Sequence, residues 1–259
     1  MKPIICFGQQ PNGVLPTNFF IAKLRTAKKL QEEIGGRIVW FCHDSDHDAQ
    51  ETRTRIPSKQ HPEGHVDINF TFKNKTQRKY TPLSHKEISG LEEIRETLLR
   101  LAPNAIQAFE KVQARTASEF CIEMYTQLGL LEGIEVVRSS DEAFRKQASV
   151  WDTEEGWYYD TTYNGELVRA NLEGKQLRLH KGGGKYQELE EVKELEQERL
   201  NPGWKKRFDW MQTAIQATHY VVGRSEKEYL EEVNIKHPAE FIDREEIANS
   251  GYAWIQQRK

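Results

Sequence analysis

The hydrophobic pattern opens with Pro3-Ile4-Ile5-Cys6-Phe7, an unbroken apolar run ended by Gly8, which predicts a strand buried on both faces of a parallel sheet. Phe20, Leu24, Ala27, Leu30 and Ile34 then recur at helical spacing until Gly35-Gly36, with Thr17 placed to cap the helix N-terminus. Ile38-Val39-Trp40-Phe41-Cys42 is a second run of the first kind. Residues 3–7 and 37–42 are therefore expected to lie adjacent and parallel, joined by a right-handed crossover. Ligands of such sheets bind beyond the strands' carboxyl ends, and both loops there are polar.

Val66, Ile68, Phe70 and Phe72 alternate with polar residues and predict a hairpin over 65–82 that turns near Asn74. Ile88–Gly129 reads as helices broken near Pro103 and Ala114-Arg115-Thr116. Ile134-Glu135-Val136-Val137 reads as a strand, followed by a helix capped by Ser140 or Asp141. From Gly156 to Leu189 short strands are joined by Asn164-Gly165, Glu173-Gly174 and Gly182-Gly183-Gly184, a meander of hairpins inserted in or appended to the core. A helix around Trp204–Gln216, a strand Thr218–Val222 and a helix capped by Ser225, with Glu228 three residues on, complete the pattern. The expectation is one α/β domain over 1–259, a mostly parallel sheet flanked by helices, with a β-rich insertion at about 156–189.

Composition changes this picture in a few places. Aromatics make up 10% of the 259 residues, too many for a disordered chain. Lys plus Arg number 37 against 40 Asp plus Glu, so no overall basic field recruits nucleic acid or an anionic membrane, and neither is an expected partner. Between Arg53 and Lys86, however, eight Lys and Arg face only Glu63 and Asp67. That stretch reads either as a phosphate holder or as an exposed charged hairpin. Glu188–Glu198, with six Glu and one Lys, reads as a solvated helix face. Cys6, Cys42 and Cys121 are odd in number and widely spaced, which suits buried hydrophobes in a reducing compartment. With no long apolar stretch and no signal-peptide pattern after Met1, a cytoplasmic location is expected.

Three segments carry candidate chemistry. Gly8-Gln9-Gln10-Pro11-Asn12-Gly13 joins a strand to a helix, where backbone N–H groups can hold an anion, although it is neither a Walker loop nor GxGxxG. An ordinary βα turn is the competing reading. His43-Asp44-Ser45-Asp46-His47-Asp48 gathers two imidazoles and three carboxylates, which suits acid/base work or substrate hydrogen bonding. Metal ligation and a solvated loop remain open there, and the spacing matches no closed zinc pattern. Lys181-Gly182-Gly183-Gly184-Lys185 reads as a hairpin tip, with an anion nest as the alternative.

Taken together, the segments resemble the bacillithiol biosynthesis cysteine-adding enzymes. The likeness rests on Gly8, Gln9 and Gln10 followed by Lys23, on Asp46, His47 and Asp48 after a strand, and on Pro202 through Arg207 and Tyr220-Val221 to Gly223, Glu226 and Tyr229. Leu128-Gly129-Leu130 through Ser140-Asp141 is similar to the family's later helix–strand–helix. The resemblance implies a Rossmann-like core without the family's coiled-coil region, and a ligase or group-transfer activity joining cysteine to glucosaminyl-malate with ATP as the nucleotide. It implies Asp46, His47 and Asp48 as catalytic residues, and Gly8, Gln9, Gln10, Lys23, Arg207, Gly223 and Glu226 as substrate or nucleotide contacts. Gln9, Gln10, Lys23, Asp46, His47, Arg207 and Glu226 are then expected to converge on one cleft. Asp44, Asp46 and Asp48 would be neutralised by protonated His47, Lys23 and Arg207, so no metal is expected. A non-catalytic nucleotide or metabolite binder and a metal-dependent hydrolase are the alternatives.

Overall fold

The structure, a computed structural model, describes residues 2–148 and 156–255. Strand β1 (Ile4–Gln9), helix α1 (Asn18–Ile34) and strand β2 (Arg37–Cys42) follow one another as the apolar pattern requires. Thr17 caps α1 by accepting from the Phe20 N–H. β1 and β2 are adjacent and parallel, with Ile5 opposite Ile38.

Beyond β2 the chain forms β3 (Thr54–Pro57), β4 (His65–Ile68), β5 (Thr71–Phe72), α2 (Lys75–Tyr80) and β6 (Ile88–Ser89). The expected hairpin over 65–82 is not formed. β4 pairs with β3 and β5 pairs with β6, both antiparallel. Asn69 separates the strands, its side chain donating to the Ala49 carbonyl and accepting from Thr52 and the Phe70 N–H. Asn74 caps α2 through the Gln77 N–H and makes no strand turn.

Helices α3 (Leu91–Leu101), α4 (Ile106–Phe109) and α5 (Ala117–Gln127) are interrupted near Pro103 and at 114–116, as expected. Strand β7 (Ile134–Arg138) and helix α6 (Glu142–Gln147), N-capped at Asp141, come next. β8 (Trp157–Tyr163), β9 (Glu166–Glu173), β10 (Gln176–Gly182) and β11 (Lys185–Glu188) form the meander. β12 (Leu200–Pro202) pairs with β8, so this antiparallel sheet has five strands in the order β11-β10-β9-β8-β12.

Residues 189–196 between β11 and β12 are not the helix expected from the glutamate run. Leu189 and Val192 donate their N–H groups to Leu177 and Lys175, which holds the segment along the sheet, while Leu189, Val192 and Leu195 pack on the core. Closely spaced carboxylates also disfavour a helix.

Helix α7 (Trp204–Ile215), strand β13 (His219–Val222), helix α8 (Arg224–Glu232) and strand β14 (Glu240–Asp243) end the fold. The N-cap of α8 lies two residues before the expected Ser225. It is Gly223, because the Glu226 carboxylate reaches back to the Gly223 N–H.

The parallel sheet has the order β14-β13-β1-β2-β7. Its side chains alternate between two cores. Ile5, Phe7, Ile38, Trp40, Cys42 and Val221 face α1 and α5, whereas Cys6, Val39, Phe41, Tyr220 and Val222 face α7 and the antiparallel sheet. Burial on both faces is why β1 and β2 read as unbroken apolar runs. All three cysteines are buried and free, and burial pushes the Cys121 thiol up to about 12. Among the described residues no helix is long and apolar enough to cross a membrane.

Phe20 is fully buried, with its ring 4.9 Å from Trp40, 5.1 Å from Tyr125 and 5.6 Å from Phe7. Phe20→Ala should lower the unfolding free energy by about 3–5 kcal/mol in urea titrations. Leu99→Ala, at an exposed position, should change it by about 0.5 kcal/mol or less.

Candidate functional site

In the sheet order, β2 and β7 lie on one side of β1, and β13 and β14 on the other. The connections diverge between β1 and β13, the place where open α/β sheets leave a crevice at their carboxyl edge. Gly8, next to last in β1, has no side chain where the Tyr220 hydroxyl from β13 occupies the space: a Cβ would stand 2.4 Å from that oxygen. Gly13, further along the loop, has φ of +85° and lies against Thr52, where a Cβ would meet the carbonyl at 2.3 Å. The Trp40 indole N–H donates to the Gln9 carbonyl at 3.1 Å, which fixes the first turn of the loop.

Lys23 lies on α1 with its side chain 6% exposed, donating to the Gly8 carbonyl at 2.8 Å and pairing with Glu226. Glu226 also accepts from the Tyr220 hydroxyl at 3.0 Å and the Gly223 N–H at 3.3 Å. Burial, reinforced by the Glu226 charge, pushes the Tyr220 phenol well above its ordinary range, so it stays protonated and donates. This network closes one side of a cavity of about 200 Å³. Gln9, Gln10, His43 and Arg207 supply its other polar lining, while Phe41, Phe208, Met211 and Leu230 make the apolar wall.

His43 follows β2 and is 2% exposed, and among the described residues neither ring nitrogen has a hydrogen-bond partner. Burial, then the positive Arg207, holds its pKa well below the ordinary value, so the ring is neutral at pH 7. An imidazole of that kind at a cavity wall can accept a proton from a bound molecule.

Asp46 forms the partition behind Gln10. Its Oδ2 accepts from Arg207 Nη2 at 3.0 Å and Gln10 Nε2 at 3.4 Å, and its Oδ1 from Arg169 Nη1 at 3.2 Å and the His47 N–H at 2.7 Å. Burial pushes the carboxyl up, but Arg169 and Arg207 outweigh it and hold the pKa well below the carboxylate range.

Gly8, Gln9, Gln10, Lys23, Arg207 and Glu226 thus line one cavity, and Asp46 bonds to two of them. His47 and Asp48 lie beyond Asp46, in an open hollow shared with Lys75, Arg78 and Lys79 from α2. Gly223 is not in the cavity lining; it caps α8 and donates its N–H to Glu226. The expected neutralisation of the aspartates takes another form. Asp44 is fully buried on Arg138, Ser118, Ser139 and Ser140, and Lys23 is engaged by Glu226. His47 is neutral, because burial and then Arg169 bring its pKa down to about 4. Asp48 is exposed and accepts from the Gln50 N–H.

Sequence reasoning passed over Arg169, whose signal is a cation inside the apolar run Leu167-Val168-Arg169-Ala170. The basic stretch 53–86 divides. Arg53 and Arg55 pair with Asp67, whereas Lys86 is fully buried, donating to the carbonyls of His47 and Arg78, and burial lowers its pKa to about 7. Among the described residues no three His, Cys, Asp or Glu side chains converge as a metal-ligand group. No family model matches the chain, and no curated protein matches it.

His43 and His47 have native pKa values below the roughly 6.5 of the unfolded chain, so between the two values they take up protons on unfolding. Their contribution to stability is full above the unfolded value and declines as pH falls; for His47 the decline is complete below about 4. Each adds a slope of at most about 1.4 kcal/mol per pH unit. Urea titrations between pH 7 and 4 should show a flatter decline for His43→Gln and for His47→Gln than for the unaltered chain.

Proposed function

We propose that the chain is a ligase or group-transfer enzyme of the cysteine-adding type, built on a Rossmann-like core and joining cysteine to an amino-sugar conjugate such as glucosaminyl-malate. The observation that carries this reading is the cavity between β1 and β13, where a neutral, unpartnered His43 faces the Lys23–Glu226 pair and Arg207. Its position at the sheet's carboxyl edge, where the connections diverge, supports the Rossmann-like reading.

The cavity is smaller than the roughly 300–1,000 Å³ of drug-sized ligand sites, which suits an amino acid and leaves an ATP-sized molecule extending beyond it. The charges suit an amino acid at both ends. Arg207 and the Gln10 amide can hold its carboxylate, and Glu226 can accept from its ammonium group. In the reaction the acceptor's amine nitrogen attacks the cysteine carboxyl carbon, an amide C–N bond forms, and a carboxyl C–O bond breaks. ATP, when bound, supplies the activation that makes that oxygen a leaving group. His43, unprotonated at neutral pH with both ring nitrogens unengaged among the described residues, takes the proton released by the attacking amine.

A non-catalytic metabolite binder is the second reading, favoured by one observation: Lys23 and Glu226 already satisfy each other without a ligand. Incubation with cysteine, glucosaminyl-malate and ATP should yield the amide, seen by mass spectrometry. His43→Gln should reduce turnover by about 10²–10⁴-fold while cysteine binding persists. Ligand-dependent melting shifts with no amide product would favour the binder.

A further inference from the structure

The meander has a polar face that the cavity between β1 and β13 does not use. Trp157, Tyr159, Val168, Ala170, Leu172, Leu177 and Leu179 point into the core, so the strands' alternation sends Tyr158, Arg169, Asn171, His180 and Tyr186 to the opposite face. The register sets Tyr158 opposite Asn171 and His180 opposite Tyr186. Helix α2 packs beside β9 and brings Lys79 to the same place.

The result is a cleft of about 260 Å³ between α2 and the sheet, lined by His47, Lys79, Tyr158, Arg169, His180 and Lys181 among others, and among the described residues no carboxylate lines it. In a chain carrying more acidic than basic residues, that concentration of cationic and imidazole groups favours an anion. Arg169 has a side chain only 3% exposed and an Nε without a hydrogen-bond partner, and its guanidinium lies 3.9 Å from the Tyr158 ring centroid. Among the described residues neither Lys79 nor Lys181 makes an ion pair, and Lys181 donates to the neutral Gln187 side chain at 2.8 Å, so no carboxylate matches either charge.

A second hollow of about 510 Å³ adjoins the cleft, sharing Tyr158 and Asn171 with it. Tyr186 and Trp204 line it while 51% and 48% exposed, and they are among the few large hydrophobic side chains left in solvent. Lys205 lies over the Trp204 ring at 5.3 Å. Exposed aromatic faces beside a polar cleft suit a planar ring that stacks.

We propose that this face binds a nucleoside polyphosphate, with its phosphates in the cleft of Lys79, Arg169, His180 and Lys181 and its base against Tyr186 and Trp204. The cleft alone would suit any oligophosphate; the adjoining aromatic hollow adds the base. Asp46 separates this face from the cavity between β1 and β13, held by Arg169 on one side and Arg207 on the other. The proposal deepens the ligase reading by locating the nucleotide, and it is tested through binding, separately from turnover.

Calorimetry on the full chain with ATP, tripolyphosphate and adenosine decides it. ATP should bind more tightly than either fragment. The double variant Lys79→Glu/Lys181→Glu, at two exposed positions, should weaken ATP and tripolyphosphate at least tenfold with an unchanged melting temperature. Tyr186→Ala and Trp204→Ala should each weaken ATP several-fold and leave tripolyphosphate unaffected. The proposal is overturned if ATP does not bind, if ATP and tripolyphosphate bind equally, or if the charge reversal leaves ATP affinity unchanged. Amide formation that needs ATP yet is indifferent to the charge reversal would overturn this site and leave the ligase reading standing. ATP binding that follows the expected pattern without any amide product would do the reverse.

Discussion

One carboxylate ties the two sheets of this molecule together. Asp46 leaves the carboxyl end of the parallel sheet and receives Arg169 from the antiparallel sheet and Arg207 from α7. Two guanidiniums, one of them almost wholly removed from water, are tolerable only because that negative charge lies between them. Arg169 further donates to the Pro202 carbonyl, so the clamp fixes the start of α7 and with it the side of the cavity that Arg207 and Phe208 form. A second buried pair acts in parallel nearby: Arg145 of α6 reaches Asp160, Asn201 and the Glu198 carbonyl. The meander is thereby joined to the α/β layer by directional charge contacts as well as by the apolar surface under Trp157 and Tyr159.

On the other wall of the cavity, the Lys23–Glu226 pair does comparable work within the parallel sheet. It draws α1 and α8, which lie far apart in sequence, against the Gly8 carbonyl and the Tyr220 hydroxyl. Glycine at position 8 is required by that approach, since any side chain would displace the phenol. Both charged walls thus impose backbone conditions on the same short loop after β1.

Some parts of the fold are legible in sequence because burial on both faces of the sheet leaves no room for polar residues. β1 and β2 fall in this group; the α1 periodicity and the exposed hairpin turns at Asn164-Gly165 and Gly182–Gly184 are legible for other reasons, one buried helix face and residues that accept positive φ. Residues 65–82 were misread because alternation fixes which side of a strand is apolar and says nothing about its partner; Asn69 and Asn74 spend their side chains on the backbone and divide the segment. The glutamate run misled for a related reason, its leucines and valine being anchored by the neighbouring strand. At the site, Gln9, Gln10 and Asp46 stand beside the crevice because they lie at or just after strand ends, but spacing could not show that Asp46 would bond to Gln10 and Arg207 while His47 lines the hollow beyond. Arg169 escaped notice because its partner is 123 residues away, a distance that local pattern does not cross.

The buried cysteines bear on the proposed chemistry in a different way. Cys6, Cys42 and Cys121 are shielded from solvent and kept as thiols by burial, which withholds the thiolate that disulfide exchange requires. With its three sulfurs sealed in the core, this chain offers small thiols and disulfides no handle for covalent capture.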